Sequence, residues 1–240
     1  MSVPDWLRNL FGDEPQRWPD VDANAPDWYR KYADHFGEGP ELTLPVDTLK
    51  VAVLDAETTG LDVARDRMLS LGVLRITGNS ISLADKLEGY LPTPPGFEAS
   101  AAVPIHGIIP NSSRYRLSEE PQLLERLLKY LGSDPIVGHH IGFDIAVINA
   151  ALERYGAGPL RNLVIDTGVL AKRLRPAGYW TPDRDYSLDA LARRYSIPLS
   201  DRHTALGDCY ITAVLYLKLL RRLEVKRGST LLLRDVVVKL

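Results

Sequence analysis

The stretch at residues 50–62, KVAVLDAETTGLD, constrains this chain more than any other. Four apolar residues, Val51 to Leu54, run into two carboxylates, Asp55 and Glu57, with Ala56 between them. Alternate residues of a strand share a face, so a strand here points Asp55 and Glu57 the same way. Two anions side by side repel, and burying them unpaired costs free energy. A hard cation, Mg²⁺ or Mn²⁺, resolves that conflict. A lone D-x-E is also what two solvated acids at a strand end look like, so the rest of the sequence has to decide.

Composition sets loose bounds. The chain has 240 residues and is 45% hydrophobic, enough for one core plus an appendage. The formal net charge of −2 gives no global positive field toward nucleic acid or an anionic membrane, although a local basic rim can suffice. The single cysteine, Cys209, rules out an intrachain disulfide and fits a reducing, cytoplasmic setting. No run approaches the roughly 18 apolar residues of a membrane span. The first residues lack a basic segment followed by a long apolar one, so no signal peptide is expected.

Residues 1–45 form an N-terminal helical arm in this reading. Residues 5–11 suit a short amphipathic helix, and residues 27–36 suit a second, with Trp28, Tyr32 and Phe36 at i, i+4, i+8 and a stop at Gly37. That aromatic stripe either docks a partner or packs on the chain's own core. The segment 37–40, GEGP, reads as a hinge. The main domain is expected over 46–225 and a C-terminal tail over 226–240.

Within that domain, residues 51–56, 68–76 and 80–91 read as strands. Thr77-Gly78-Asn79 is a hairpin turn, and the short connection at 60–67 favours an antiparallel three-strand meander. Residues 119–131 read as a helix with Leu123, Leu124, Leu127, Leu128 and Leu131 on one side. Short strands follow at 136–138 and 163–166, each leading into a helix. A helix at 188–195 and a long one from about 204 to 223 complete the pattern. The periodicity of 230–240 fits a strand or a helix. The order gives an α/β fold: a mixed five-stranded sheet, the meander plus two crossover strands, flanked by helices.

Two more acids bear on the opening pair. Asp144 follows Phe143 where a loop becomes a helix, and Asp208 lies in the first turns of the long helix, five residues after His203. An acid at a helix start has an ordinary explanation in the helix dipole. Four carboxylates at one end of a sheet do not stay ionised without cations. They suit two divalent ions about 3.5–4 Å apart, the arrangement used for in-line phosphoryl displacement. A histidine near neutrality is a suitable general base.

Three segments, DAETTGL at 55–61, GHHIGFD at 138–144 and RHTALGD at 202–208, resemble in order and spacing the motifs of the DEDDh 3′–5′ exonucleases. That family includes the proofreading epsilon subunit of bacterial DNA polymerase III. The resemblance covers about residues 48–225 and implies an RNase H-like fold. It is supported by the patches at 105–108, 165–167 and 187–191. It implies Asp55, Glu57, Asp144 and Asp208 as ligands of two Mg²⁺ or Mn²⁺ ions, with Asp55 bridging, and His203 as the base that activates the attacking water. Thr58, Thr59, Gly60 and Leu61 would form the pocket for the terminal nucleotide. Ile105 would pack on bases, His106 would lie at the pocket wall, and His139, on the histidine of the family's second motif, would belong to the substrate-binding set. His140 departs from the asparagine usual in the family.

The implied activity is release of nucleoside 5′-monophosphates from the 3′ end of single-stranded DNA, in proofreading or repair. RNA trimming by the same chemistry and a non-catalytic polymerase-associated module are the alternatives. Expected partners are nucleic acid and, through arm or tail, a polymerase or clamp, with no membrane. Arg173, Arg175, Arg184, Arg193, Arg194 and Arg202 are candidates for a basic rim, with Tyr179 and Trp180 available for stacking on bases.

Overall fold

The computed structural model describes residues 18, 20–37, 39–95, 115–176, 178 and 182–238. The segments expected to hold the first helix, Ile105, His106, Tyr179 and Trp180 lie outside these residues.

Five strands form one sheet in the order β3-β2-β1-β4-β5. They are β1 (Lys50–Thr58), β2 (Met68–Thr77), β3 (Ser80–Tyr90), β4 (Ile136–Gly138) and β5 (Val164–Asp166). The first three form the antiparallel meander, and β4 and β5 pair parallel to β1 and to each other. Six helices accompany the sheet among the described residues: α1 (Asp27–Ala33), α2 (Glu120–Leu131), α3 (Gly142–Arg154), α4 (Thr167–Arg173), α5 (Leu188–Arg194) and α6 (Ala205–Arg227). The expected α/β architecture is therefore the observed one.

The alternation of β1 sorts its side chains into two cores. Val51 and Val53 join α4, α5 and α6 on one face, while Ala52 and Leu54 join α1, α2 and α3 on the other. Five leucines of α2 are buried, which fixes that helix against the second face. Each contributes roughly 1.5–3 kcal/mol by leaving water. The odd-numbered run of β1 continues on the α6 side, so its last two members are Asp55 and Glu57.

The aromatic stripe of the arm packs on the chain's own core. Tyr29 and Tyr32 are buried in the second cluster, with Trp28 and Phe36 packed at its edge. Tyr29 donates to the Pro159 carbonyl at 2.9 Å, and Tyr32 donates to Asn162 Oδ1 at 2.6 Å. At the other terminus, residues 231–238 are neither a long strand nor a helix. They make a 3-10 turn at Leu233–Asp235, flanked by bridges Pro45–Leu232 and Val164–Val238. Leu231, Leu233, Val236 and Val237 are buried in the first core.

One close approach decides where α6 begins. Gly72 of β2 lies directly opposite Asp55 of β1. A Cβ at Gly72 would come within 2.6 Å of the Ala205 carbonyl carbon. The absent side chain lets the first turn of α6 rest on the sheet beside Asp55. Cys209 then donates its thiol to the Gly72 carbonyl at 3.1 Å, and Asp208 next to it is brought over the end of β1.

Candidate active site

Three elements bring the acids together. Asp55 and Glu57 end β1 on one face, Asp144 lies in the first turn of α3, and Asp208 lies in the first turn of α6. Oxygens of Asp55, Glu57 and Asp208 lie within 4.8 Å of one another. Asp144 joins through the backbone: its Oδ1 accepts from the Ala56 amide at 2.9 Å. That bond ties α3 to the strand position between the other two acids.

The electrostatics are unfavourable for the acids alone. Burial, then the charges of Asp144, Asp208 and Glu57, hold Asp55 well above the carboxylate range. Burial lifts Glu57 to about 7, with Asp208 adding to the shift and Arg202 opposing it. Burial lifts Asp144 to about 7 against the opposing bond from Ala56. Asp208 is raised by burial and pulled back by Arg202. At about 5 Å and an effective dielectric near 20, each like-charged pair repels by about 3 kcal/mol. Oxygen ligands at this spacing, crowded and partly buried, suit hard divalent cations. The cluster therefore fits Mg²⁺ or Mn²⁺.

His203 lies at the entrance to α6 rather than among the carboxylates. Its amide donates to Asp208 Oδ1 at 3.3 Å, and its Nδ1 lies 3.3 Å from Arg202 Nη1. Arginine only donates, so that contact uses the Nδ1 lone pair and leaves the ring proton on Nε2. Arg202 is engaged with Asp189 and Asp208, and Arg173 donates to the Asp235 carbonyl. These two arginines of the expected rim thus serve internal bonds.

The turn after β1 has its own architecture. Thr58 donates its hydroxyl to the Gly60 carbonyl at 2.6 Å. Thr59 donates to Asp66 Oδ1 at 2.7 Å, and Asp66 also accepts from the Asp62 amide. Leu61 is 85% exposed on this turn, beside the acids. Asp66 carries no motif that marks it in the sequence; only the folded turn shows its role.

His139 and His140 face away from a shared task. His139 Nδ1 lies 2.8 Å from Thr167 Oγ1, while Thr167 donates to the Gly138 carbonyl. Thr167 therefore accepts from His139, which fixes the proton on Nδ1. Burial, then His140, lowers His139 to about 4, so it is neutral at physiological pH. His140 has φ of 53° and turns its Nε2 toward the Tyr186 carbonyl at 3.3 Å. Asn and His are both enriched at such left-handed backbone, which accounts for one replacing the other here. Asp166, from the patch at 165–167, is a structural acid. It caps α4 through Gly168 and Val169 and accepts from the Ile141 amide at 3.1 Å, positioning the loop before α3.

An RNase H-like sheet with an acidic cluster at the carboxyl end of its central strand is the architecture of the DEDD exonucleases. Comparison with known proteins agrees. The RNase_T family model, described as "Exonuclease", matches residues 52–216. The chain belongs to this exonuclease family. It is 28% identical over 223 residues to the PolC-type DNA polymerase III of Pediococcus pentosaceus, covering 92% of this chain and 14% of the relative. It is 31% identical over 172 residues to the PolC-type enzyme of Listeria monocytogenes, covering 70% of this chain and 11% of the relative. The chain thus spans a small part of these polymerases. Among solved structures, it is similar in fold to E. coli exonuclease I in complex with a dT13 oligonucleotide. The TM-score is 0.63 at 23% identity, over 75% of this chain and 42% of that one. Exonuclease X in complex with 5′ overhanging duplex DNA aligns with a TM-score of 0.51 at 23% identity, over 75% of this chain and 94% of that one. Among the described residues, no helix is long and apolar enough to cross a membrane.

Proposed function

We propose that this chain is a 3′–5′ exonuclease that removes nucleotides from the 3′ end of single-stranded DNA. The observation that carries the reading is the convergence of Asp55, Glu57 and Asp208 oxygens within 4.8 Å, with Asp144 pinned beside them by Ala56. Asp55, Glu57, Asp144 and Asp208 would hold two divalent ions. When bound, such ions activate water, orient the phosphodiester and stabilise the departing oxyanion.

The chain's own residues supply the rest. The four carboxylates would hold the ions at the sheet's end. His203, at the entrance to α6 beside Asp208, would take the proton of the attacking water. Thr58 to Leu61 line the approach, and the exposed Leu61 side chain is available to pack on the terminal base. The DNA polymerases among the relatives and the dT13 oligonucleotide on exonuclease I favour DNA over RNA, and a replicative polymerase is the protein partner to test.

The experiment is product analysis on matched DNA and RNA ladders, labelled at the 5′ or 3′ end, with Mg²⁺, Mn²⁺ or chelator. The reading expects a ladder of 5′-labelled DNA shortening one nucleotide at a time, release of nucleoside 5′-monophosphates, and silence in chelator. Shortening from the 5′ end, or metal-independent cleavage, would overturn it. Faster loss of RNA would move the substrate to the alternative class.

A further inference from the structure

Arg202 joins groups that no single stretch of sequence puts together. Its Nε donates to Asp189 of α5 at 2.6 Å, its Nη1 donates to the Asp208 carboxylate, and the same nitrogen lies 3.3 Å from His203 Nδ1. The side chain is only 23% exposed, so these are not loose surface contacts.

The loop that carries Arg202 is strained. Asp201 and His203 have φ of 56° and 67°. Non-glycine residues in that region carry a conformational cost and persist only where their surroundings over-determine them. Several ties are internal to the loop and to α6. The Thr204 amide and hydroxyl both donate to the Asp201 carbonyl, at 3.2 and 2.7 Å. Gly207 lets that carbonyl approach; a Cβ there would lie 2.0 Å from it. The bond from Arg202 to Asp189 runs outward instead, to a helix that the acids do not build. Asp189 sits in the first turn of α5, whose start is capped by Ser187 accepting from the Ala190 amide at 3.3 Å. Its place is therefore set independently of the carboxylate cluster.

We propose that Arg202, anchored by Asp189, is a positioning residue of this site. It holds the His203 loop and the Asp208 carboxylate in place against Asp55 and Glu57. The kinetic part of this proposal rests on the nuclease reading above; the structural part does not. A guanidinium is a planar fork that reaches two carboxylates at once, whereas an ammonium is a point charge. Arg202→Lys therefore keeps the charge and loses the bridge.

The test compares Asp189→Ala, Arg202→Lys, Arg202→Gln and the double variant Asp189→Ala/Arg202→Gln. The first readout is amide hydrogen exchange in chelator, with no metal or nucleic acid. Amides of residues 201–208 should exchange at least tenfold faster in Asp189→Ala and Arg202→Lys, with β1 and β2 unchanged. The second readout is steady-state cleavage of single-stranded DNA. The single variants should lose about 10–100-fold in kcat, with KM within about threefold. The double variant should be no worse than Arg202→Gln alone, because the two residues act through one bond.

Unchanged exchange and kcat in Asp189→Ala would overturn the proposal. So would multiplied effects in the double variant, or wild-type behaviour of Arg202→Lys, which would reduce Arg202 to its charge. Should Asp189→Ala disturb β1 and β2, Arg202→Lys carries the test. A wild-type chain without metal-dependent cleavage removes the nuclease reading, and the exchange data still decide the positioning. Normal cleavage with unaltered variants rejects the positioning alone.

Discussion

The charge buried near the start of β1 and the charge buried at its end are resolved in opposite ways. Near the start of β1, Arg75 of β2 is 7% exposed. It pairs with Asp134, donates to the Tyr130 carbonyl, lies over the Tyr130 ring and has Asp85 within 3.6 Å. The cation there is matched by anions and a π face. At the end of β1, four acids converge and, among the described residues, Arg202 is the guanidinium that meets them. When all four are ionised, that guanidinium, which also pairs with Asp189, leaves at least three negative charges uncompensated. A matched buried charge is a structural feature; an unmatched cluster suits cations that arrive from solution.

This contrast is broken first by removing the acids. Asp55→Asn or Asp208→Asn is expected to drop Mg²⁺-dependent cleavage of single-stranded DNA to background, with an unchanged circular dichroism spectrum. Retained cleavage would mean that the cluster is not the reaction centre. His203→Ala should then cost about 10²–10⁴ in kcat, measured in single-turnover assays, since it removes a base and not a ligand. At the matched end, Arg75→Met should destabilise the fold by about 3 kcal/mol, because it leaves Asp134 without its partner. In a chain of this size that is a fall of about 6–12 °C in melting temperature, with the remaining folded protein still active. A loss of cleavage without a loss of stability would erase the distinction between the two ends.

The smallest effect sharpens the comparison through pH. Asp144 titrates near 7 when folded and near 4 when unfolded, so between these values the folded state holds the extra proton. Its contribution to stability is fully present below about pH 4 and is lost as pH rises through 7. In chelator, Asp144→Asn is therefore expected to melt several degrees above wild type at pH 8.5, by about half that margin at pH 5.5, and close to it at pH 4. The asparagine oxygen can still accept from Ala56. A lower melting temperature at pH 8.5 would show that the buried Asp144 carboxylate does not destabilise the fold.

Much of this was legible in the sequence where local chemistry is decisive. The period-two run into Asp55 and Glu57 gave a strand and its face. The leucines of α2 repeat at helical spacing, and Thr77-Gly78-Asn79 falls where β2 turns into β3. The last residues were ambiguous because Leu231, Leu233, Val236 and Val237 are buried by long-range bridges to Pro45 and Val164, and no local period reports that. Arg202 looked like a surface cation because its partner Asp189 is 13 residues away, across a loop with left-handed turns. The bond from His139 to Thr167 was equally hidden, since 28 residues separate the two.

By itself the sequence determined the alternation of β1, and with it two like charges on one face, because a strand's period is fixed by covalent geometry. It also set both helix-borne acids near helix starts, where the dipole favours them. Only the tertiary structure decided that these acids meet. Their convergence depends on the missing side chain of Gly72, which lets α6 rest on β2, and on the Ala56 amide that receives Asp144. These are contacts between residues far apart in the chain, so their free energy exists only once the sheet has formed.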